Sequence, residues 1–168
     1  NPVLKGKNLF NSAFVLEAGK IIQVIHKTLL PTYDVFDEYR YFEPNHVFEL
    51  INIKGHKIAL TICEDLWNEE DDPMYVFSPM EKLMPLKPEF IINIAASPFD
   101  YRHEEKRKAI LKRNVLKYNL PLFYVNHSGA QTDLLFDGGS LALNSNGDII
   151  EELTPFHEDF RIIDTAAL

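Results

Sequence analysis

Cysteine is nearly absent: Cys63 is the only one in 168 residues. A single thiol excludes an intrachain disulfide and leaves nothing for a cysteine-rich metal site. The six histidines, at positions 26, 46, 56, 103, 127 and 157, show neither an H-x-H nor an H-E-x-x-H spacing, so a metal-catalysis motif is missing as well. No apolar run approaches the roughly 20 residues of a membrane-spanning helix. The N-terminus lacks the charged and apolar regions of a signal peptide. Basic residues are in the minority, 17 Lys and Arg against 25 Asp and Glu, for a formal net charge of -8. That balance argues against nucleic acid and anionic membranes as partners. The absences leave a cytoplasmic protein in a reducing compartment as the expectation. Methionine is also scarce: the chain opens Asn1-Pro2 and its first methionine is Met74, so we read it as a piece of a longer polypeptide.

Apolar residues are plentiful, at 46% with 12% aromatics, enough for the core of one domain. Leu9 to Leu16 and Lys20 to His26 read as a hairpin about Glu17-Ala18-Gly19. From Thr28 to Pro44 two prolines and five aromatic residues follow no period, which describes an ordered loop of the length that often carries function. Val47 to Ile53 and Lys57 to Ile62 form a second expected hairpin, and the run from Ile58 to Ile62 suits a strand buried on both faces. The acidic stretch Asn68 to Asp72 with Pro73 reads as a solvated loop, and Tyr75 to Leu83 as a short helix ending before Pro85.

Phe90 to Ala95 is a third apolar run, ending in Ala96-Ser97-Pro98. His103 to Tyr118 is the clearest helix, acidic at its start and basic at its end, with Leu111, Val115 and Tyr118 on one face. Its six basic residues are expected on a solvated face. Leu122 to Asn126, Leu134 to Phe136, Ser140 to Asn144, Ile149 to Leu153 and Phe160 to Ile163 complete the expected strands. Asp137-Gly138-Gly139-Ser140 lacks the lysine and glycine spacing of a phosphate loop and reads as a turn. No repeat or interior domain boundary is visible. Hairpins alternate with strand-helix-strand units, so the class is a mixed α/β or α+β layered sandwich.

Cys63 stands where the buried run stops, followed by Glu64 and Asp65. Two readings remain open from the residues alone: a structural thiol, the commoner fate of a lone cysteine, or a nucleophile. A nucleophilic thiol needs a nearby cation, a base and donors for an oxyanion. Lys27, at the end of an expected strand, is a candidate cation, although lysines in such places are usually exposed. Glu38 is a possible partner for Arg40 or a solvated loop charge.

Five blocks, taken in order, carry a resemblance. The segment from Lys27 through Leu30-Pro31-Thr32-Tyr33 and Phe36-Asp37-Glu38-Tyr39-Arg40 to Phe42 resembles the lysine segment of the nitrilase, or carbon-nitrogen hydrolase, superfamily. Ile62-Cys63-Glu64-Asp65-Leu66-Trp67 resembles its nucleophile segment, and Asn93-Ile94-Ala95-Ala96-Ser97-Pro98 the following strand end. Tyr124-Val125-Asn126 and Leu135-Phe136-Asp137-Gly138-Gly139-Ser140 match further blocks. More narrowly, the set from about Asn8 to Ile163 is similar to the glutamine amidotransferase domains of glutamine-dependent NAD synthetases.

The resemblance implies an α+β fold, a four-layer α-β-β-α sandwich. Residues 1–168 would be one partial glutaminase domain, lacking an upstream strand-helix part and a downstream synthetase domain. It implies that Cys63 attacks the amide of glutamine, that Lys27 stabilises the oxyanion and that Glu38 is a supporting glutamate. Tyr33, Glu64 and Ser97 fall where the family contacts glutamine. Released ammonia would amidate nicotinic acid adenine dinucleotide in the synthetase domain, which would hold ATP and magnesium. This domain would hold no cofactor or metal, and the parent would be a homo-oligomer.

One departure matters. The family's general-base glutamate lies well upstream of the lysine, and Glu17, the only carboxylate before Lys27, sits in an expected turn. The residues alone are expected to be catalytically impaired. Two alternatives stay open: a stand-alone amidase of the superfamily acting on another small amide, and a noncatalytic structural or interaction module.

Overall fold

The computed structural model describes residues 2–69, 73–165 and 168. The backbone divides into two compact units, residues 1–88 and 89–168.

In the first unit, β1 (Pro2–Lys5), β2 (Asn8–Glu17) and β3 (Lys20–His26) form an antiparallel meander. The β2–β3 hairpin follows the sequence expectation, and β1 is an addition to it. Ala13, Val15 and Ile25 are its buried apolar side chains. A short hairpin joins β4 (Ile51–Ile53) to β5 (His56–Ile62). Ile58 through Ile62 are all buried, as a strand covered on both faces requires.

The expected strand from Val47 is shorter than its apolar content suggested. The Asn45 side chain binds both the N–H and the C=O of Val47, and this local loop satisfies groups that a ladder would otherwise use. A 3-10 turn, Cys63–Leu66, follows β5, and α1 covers Pro79–Leu83. Helix α1 starts later than expected because Pro79 suits only a first helical turn. Asn68 and Glu69 are buried rather than solvated, the Asn68 amide pairing with the backbone of Tyr75. The remaining expected loop charges, Glu70, Asp71 and Asp72, lie outside the described residues.

In the second unit, β6 (Phe90–Ala95) pairs in parallel with β7 (Leu122–Asn126) through α2 (His103–Tyr118). A hairpin of β8 (Ser128–Gln131) and β9 (Leu134–Asp137) follows, the first strand of which the sequence reading missed. Next, β10 (Leu141–Leu143) lies antiparallel to β7, and β11 (Ile149–Glu152) antiparallel to β10. The expected strand over Phe160–Ile163 does not form. Phe160 and Ile162 are 77% and 91% exposed, so their alternation covers no apolar face, and burial is what holds such a pattern in a sheet.

Helix α2 buries Arg107, Ile110, Leu111, Asn114 and Val115, a single stripe at helical spacing. Its basic face is solvated except at Arg107, which is 1% exposed. The Arg107 guanidinium makes two bonds to Asp137, at 3.1 and 2.7 Å. Asp137 also accepts from the Asn126 amide at 3.3 Å. Gly139 has φ +60° and lies so close that a Cβ there would meet Arg107 Nη2 at 2.9 Å. The turn at Gly139 is therefore shaped around a buried guanidinium, and that at Gly138 around Ser128, whose Cβ is 3.3 Å from where a side chain would begin.

Arg107→Met leaves the Asp137 carboxylate buried without its cation and is expected to lower unfolding free energy by about 3–5 kcal/mol. Adding Asp137→Leu should recover much of that loss, because no charge then remains to be buried. Urea unfolding of the two variants checks both.

Candidate functional site

The first unit gathers five of the six nominated residues. Lys27 follows β3 directly, its N–H donating to the Asn11 carbonyl at 2.8 Å and its carbonyl accepting from Asn45 N–H at 2.9 Å. Both strand-end bonds aim the side chain inward, and the residue is 2% exposed. Composition pointed to exposure; the structure buries the ammonium. A buried ammonium persists only with a paired charge, and Glu38 provides it through both carboxylate oxygens, at 2.9 and 2.8 Å. Arg40, the other candidate partner for Glu38, pairs with Asp37 at 3.5 Å on the exposed surface.

Cys63 is half-buried and has φ +45°. A non-glycine residue in the left-handed region costs about 1–3 kcal/mol and persists only where its surroundings impose it. Asp65 fixes the backbone immediately before this turn. Its Oδ1 accepts from the N–H of Thr28 at 3.0 Å and of Leu29 at 2.8 Å, while Oδ2 accepts from Ile62 N–H at 3.0 Å. One carboxylate thus holds the residue before Cys63 and the two residues after Lys27. Burial pushes the Asp65 carboxyl up to about 6, against the downward pull of its backbone donors and of the Lys27 charge.

Glu64 is buried beside the thiol residue. Its carboxylate accepts from Tyr33 Oη at 2.8 and 2.9 Å and from Tyr75 Oη at 3.1 Å. Burial raises its pKa, and the Tyr33 bond and the Lys27 charge oppose the rise. The Tyr75 hydroxyl is in turn held well above the usual phenol range by burial and the Glu64 charge. Asn68 fixes Tyr75 by bonding its carbonyl and N–H, each at 2.9 Å.

Ser97 belongs to the second unit. It is buried at the end of β6, with its N–H on Asn126 Oδ1 at 2.8 Å and its Oγ 2.9 Å from His103 Nε2. Asn126 Nδ2 donates to the Gly138 carbonyl at 2.8 Å, so one amide ties the ends of β6, β7 and β9. A groove of about 510 Å³ also lies in this unit, lined by residues including Tyr124, Asn126, Ser140, Leu153 and Phe160, and by none of the six nominated residues.

Asp65, Tyr75 and Asn126 were not nominated from the sequence. Asp65 carried one local signal, a carboxylate just past a strand end, where side-chain bonds to backbone N–H are common. Tyr75 reaches its partner through a tertiary contact and carried none, whereas Asn126 stood in the Tyr124-Val125-Asn126 block without a role of its own. Among the described residues, no group of three or more His, Cys, Asp or Glu side chains is placed to hold a metal ion, and no helix is long and apolar enough to cross a membrane.

This arrangement of thiol, ammonium and carboxylates can be set beside known proteins. No protein-family model matches the chain. It is 42% identical over 160 residues to the glutamine-dependent NAD(+) synthetase of Synechocystis sp., covering 94% of this chain and 29% of that protein. The solved glutamine-dependent NAD+ synthetase of Acinetobacter baumannii superposes with a TM-score of 0.84 at 33% identity, covering 94% of this chain and 29% of that one. A carbon-nitrogen hydrolase from Helicobacter pylori G27 matches with a TM-score of 0.75 at 26% identity, over 90% of this chain and 55% of that one.

The chain belongs to the nitrilase, or carbon-nitrogen hydrolase, superfamily. Its fold is the mixed α/β nitrilase-like one. Within the superfamily it is homologous to glutamine-dependent NAD synthetases, and it spans less than a third of the length of the curated relatives it matches.

Two predictions follow from the charges. Glu38→Gln leaves the buried Lys27 ammonium without its counter-charge and should cost about 3 kcal/mol of stability, whereas Arg40→Ala should cost about 0.5 kcal/mol or less; urea titrations compare them. Because the Asp65 carboxyl rises from 3.8 to about 6 on folding, the folded state takes up a proton between those values. The stability this contributes is complete below pH 3.8 and lost as pH rises through about 6. Relative to Asp65→Asn, whose amide does not titrate, the wild type should therefore lose stability from about pH 4 to pH 7, measured by unfolding at stepped pH.

Proposed function

We propose that this chain forms part of the glutaminase domain of a glutamine-dependent NAD synthetase, built as the four-layer α-β-β-α sandwich. The observation that carries the reading is the Asp65 carboxylate, which binds the left-handed Cys63 turn and the Lys27 strand end into one structure. A lone structural cysteine has no need of a strained backbone tied through a buried carboxylate to the strand end that carries a buried ammonium. The higher identity to NAD synthetases, 42% and 33% against 26% for the carbon-nitrogen hydrolase, favours glutamine over another small amide.

In this reading the Cys63 thiolate attacks the side-chain carbonyl carbon of glutamine. Lys27 and the backbone N–H after Cys63 stabilise the oxyanion, a contribution of several kcal/mol for well-placed donors. Glu38 pairs with the Lys27 ammonium and keeps it aimed. The C–N bond breaks and, with a proton gained, the nitrogen leaves as ammonia, giving a thioester on Sγ. Water then adds to the thioester, releasing glutamate and restoring the thiol. Tyr33 and Glu64 recognise the substrate, Glu64 suiting its ammonium.

A glutamate outside residues 1–168 takes the thiol proton and later activates water. Without it these residues alone should be slower by about 10²–10⁴-fold. The ammonia amidates nicotinic acid adenine dinucleotide in a synthetase domain of the same polypeptide, using ATP and magnesium there, within a homo-oligomer.

In the full-length protein, Cys63→Ala should abolish glutamine hydrolysis, by about 10³-fold or more, and prevent labelling by a glutamine-like electrophile. Lys27→Ala should lower kcat by about 10²–10³-fold. Undiminished turnover in Cys63→Ala, read by glutamate release, would overturn the assignment.

A further inference from the structure

The geometry points to Asp65 as a positioning residue for glutamine hydrolysis, holding the thiol turn and the ammonium-bearing strand end in one fixed register. The inference rests on the roles proposed above for Cys63 and Lys27. It concerns a residue that touches no reacting atom in that scheme: Asp65 is 3% exposed, and its hydrogen bonds run to Thr28, Leu29 and Ile62 of its own backbone.

The case is one of chemistry and placement. Two strand ends can be joined by apolar packing, which costs no charge burial. Here they are joined by a carboxylate, the more expensive group to remove from water. A carboxylate offers two coplanar acceptor oxygens at fixed separation, and it uses them on opposite sides of the site. Oδ1 takes the donors that follow Lys27, and Oδ2 takes Ile62 N–H, the last backbone donor before Cys63. The Cys63 turn closes on its far side with Trp67 N–H on the Glu64 carbonyl at 2.8 Å. Lys27 is closed on its far sides by Asn11, Asn45 and Glu38. The Asp65 carboxylate is therefore a direct link between the main chains of the two groups, alongside the Tyr33–Glu64 side-chain bonds that join the same two segments. Catalytic geometry tolerates little error: a displacement of about 1 Å can cost 10²-fold in rate.

The test is Asp65→Asn in the full-length protein, assayed at neutral pH. The amide has the same shape but one acceptor oxygen, so its NH₂ must face either Ile62 N–H or the Thr28 and Leu29 donors. The expected result is a folded variant whose kcat, normalised to folded protein, falls about 10- to 100-fold while KM for glutamine moves less than about threefold. Amide exchange at Ile62, or at Thr28 and Leu29, should quicken about tenfold or more. A purely structural role would lower the folded fraction and leave normalised kcat unchanged. Normalised kcat within about twofold of wild type, or unaltered exchange at all three amides, overturns the proposal. Cys63→Ala separates the two levels. If it is inactive and Asp65→Asn is fully active, only the role of Asp65 falls; if it stays active, the glutaminase reading falls, and this inference with it.

Discussion

The candidate site depends on a buried carboxylate that spends its acceptors on the main chain. Asp65 stands after the most completely buried strand of its unit, and its three N–H partners come from both sides of the site. Two features that would otherwise be unfavourable become tolerable around it. Cys63 occupies a left-handed conformation that an L-residue avoids. Lys27 keeps an ammonium out of water, paired through both oxygens of Glu38. The strained turn and the buried ion pair are thus held in one unit through the same carboxylate.

The second unit solves a similar problem with different residues. The Asn126 amide accepts from Ser97 N–H and donates to the Gly138 carbonyl and to Asp137, which pairs with Arg107. These groups stand at the ends of β6, β7 and β9, where parallel strands leave backbone groups that no ladder can satisfy. An amide is suited to that place because it donates and accepts at once. The guanidinium beneath it requires a residue without a side chain at position 139. What reads in the sequence as a simple glycine turn is thus a packing constraint set by a helix 32 positions earlier, at Arg107.

Legibility followed the range of the interactions. The β2–β3 hairpin, β5, β6, α2 and β7 were readable because each is specified by its own apolar period and local turn. Helix α2 even keeps its expected bounds, His103–Tyr118. Where the reading failed, a distant group had intervened or failed to appear. Val47 is taken out of a ladder by the Asn45 side chain, Asn68 is drawn inward by Tyr75, and Phe160 and Ile162 find no face to cover. Arg107 was counted with a solvated basic face because nothing local distinguishes it from Lys106 or Arg113.

By itself the sequence determined that a lone thiol ends a doubly buried strand, and its ordered blocks already pointed to the superfamily. It could not determine whether Lys27 was exposed, which cation Glu38 would meet, or that Asp65 rather than its neighbour Glu64 would bind the backbone. Those depend on which strand ends converge. Convergence is a property of the packed chain, since a charge's partner is set by distance in space and its cost by the water that packing removes.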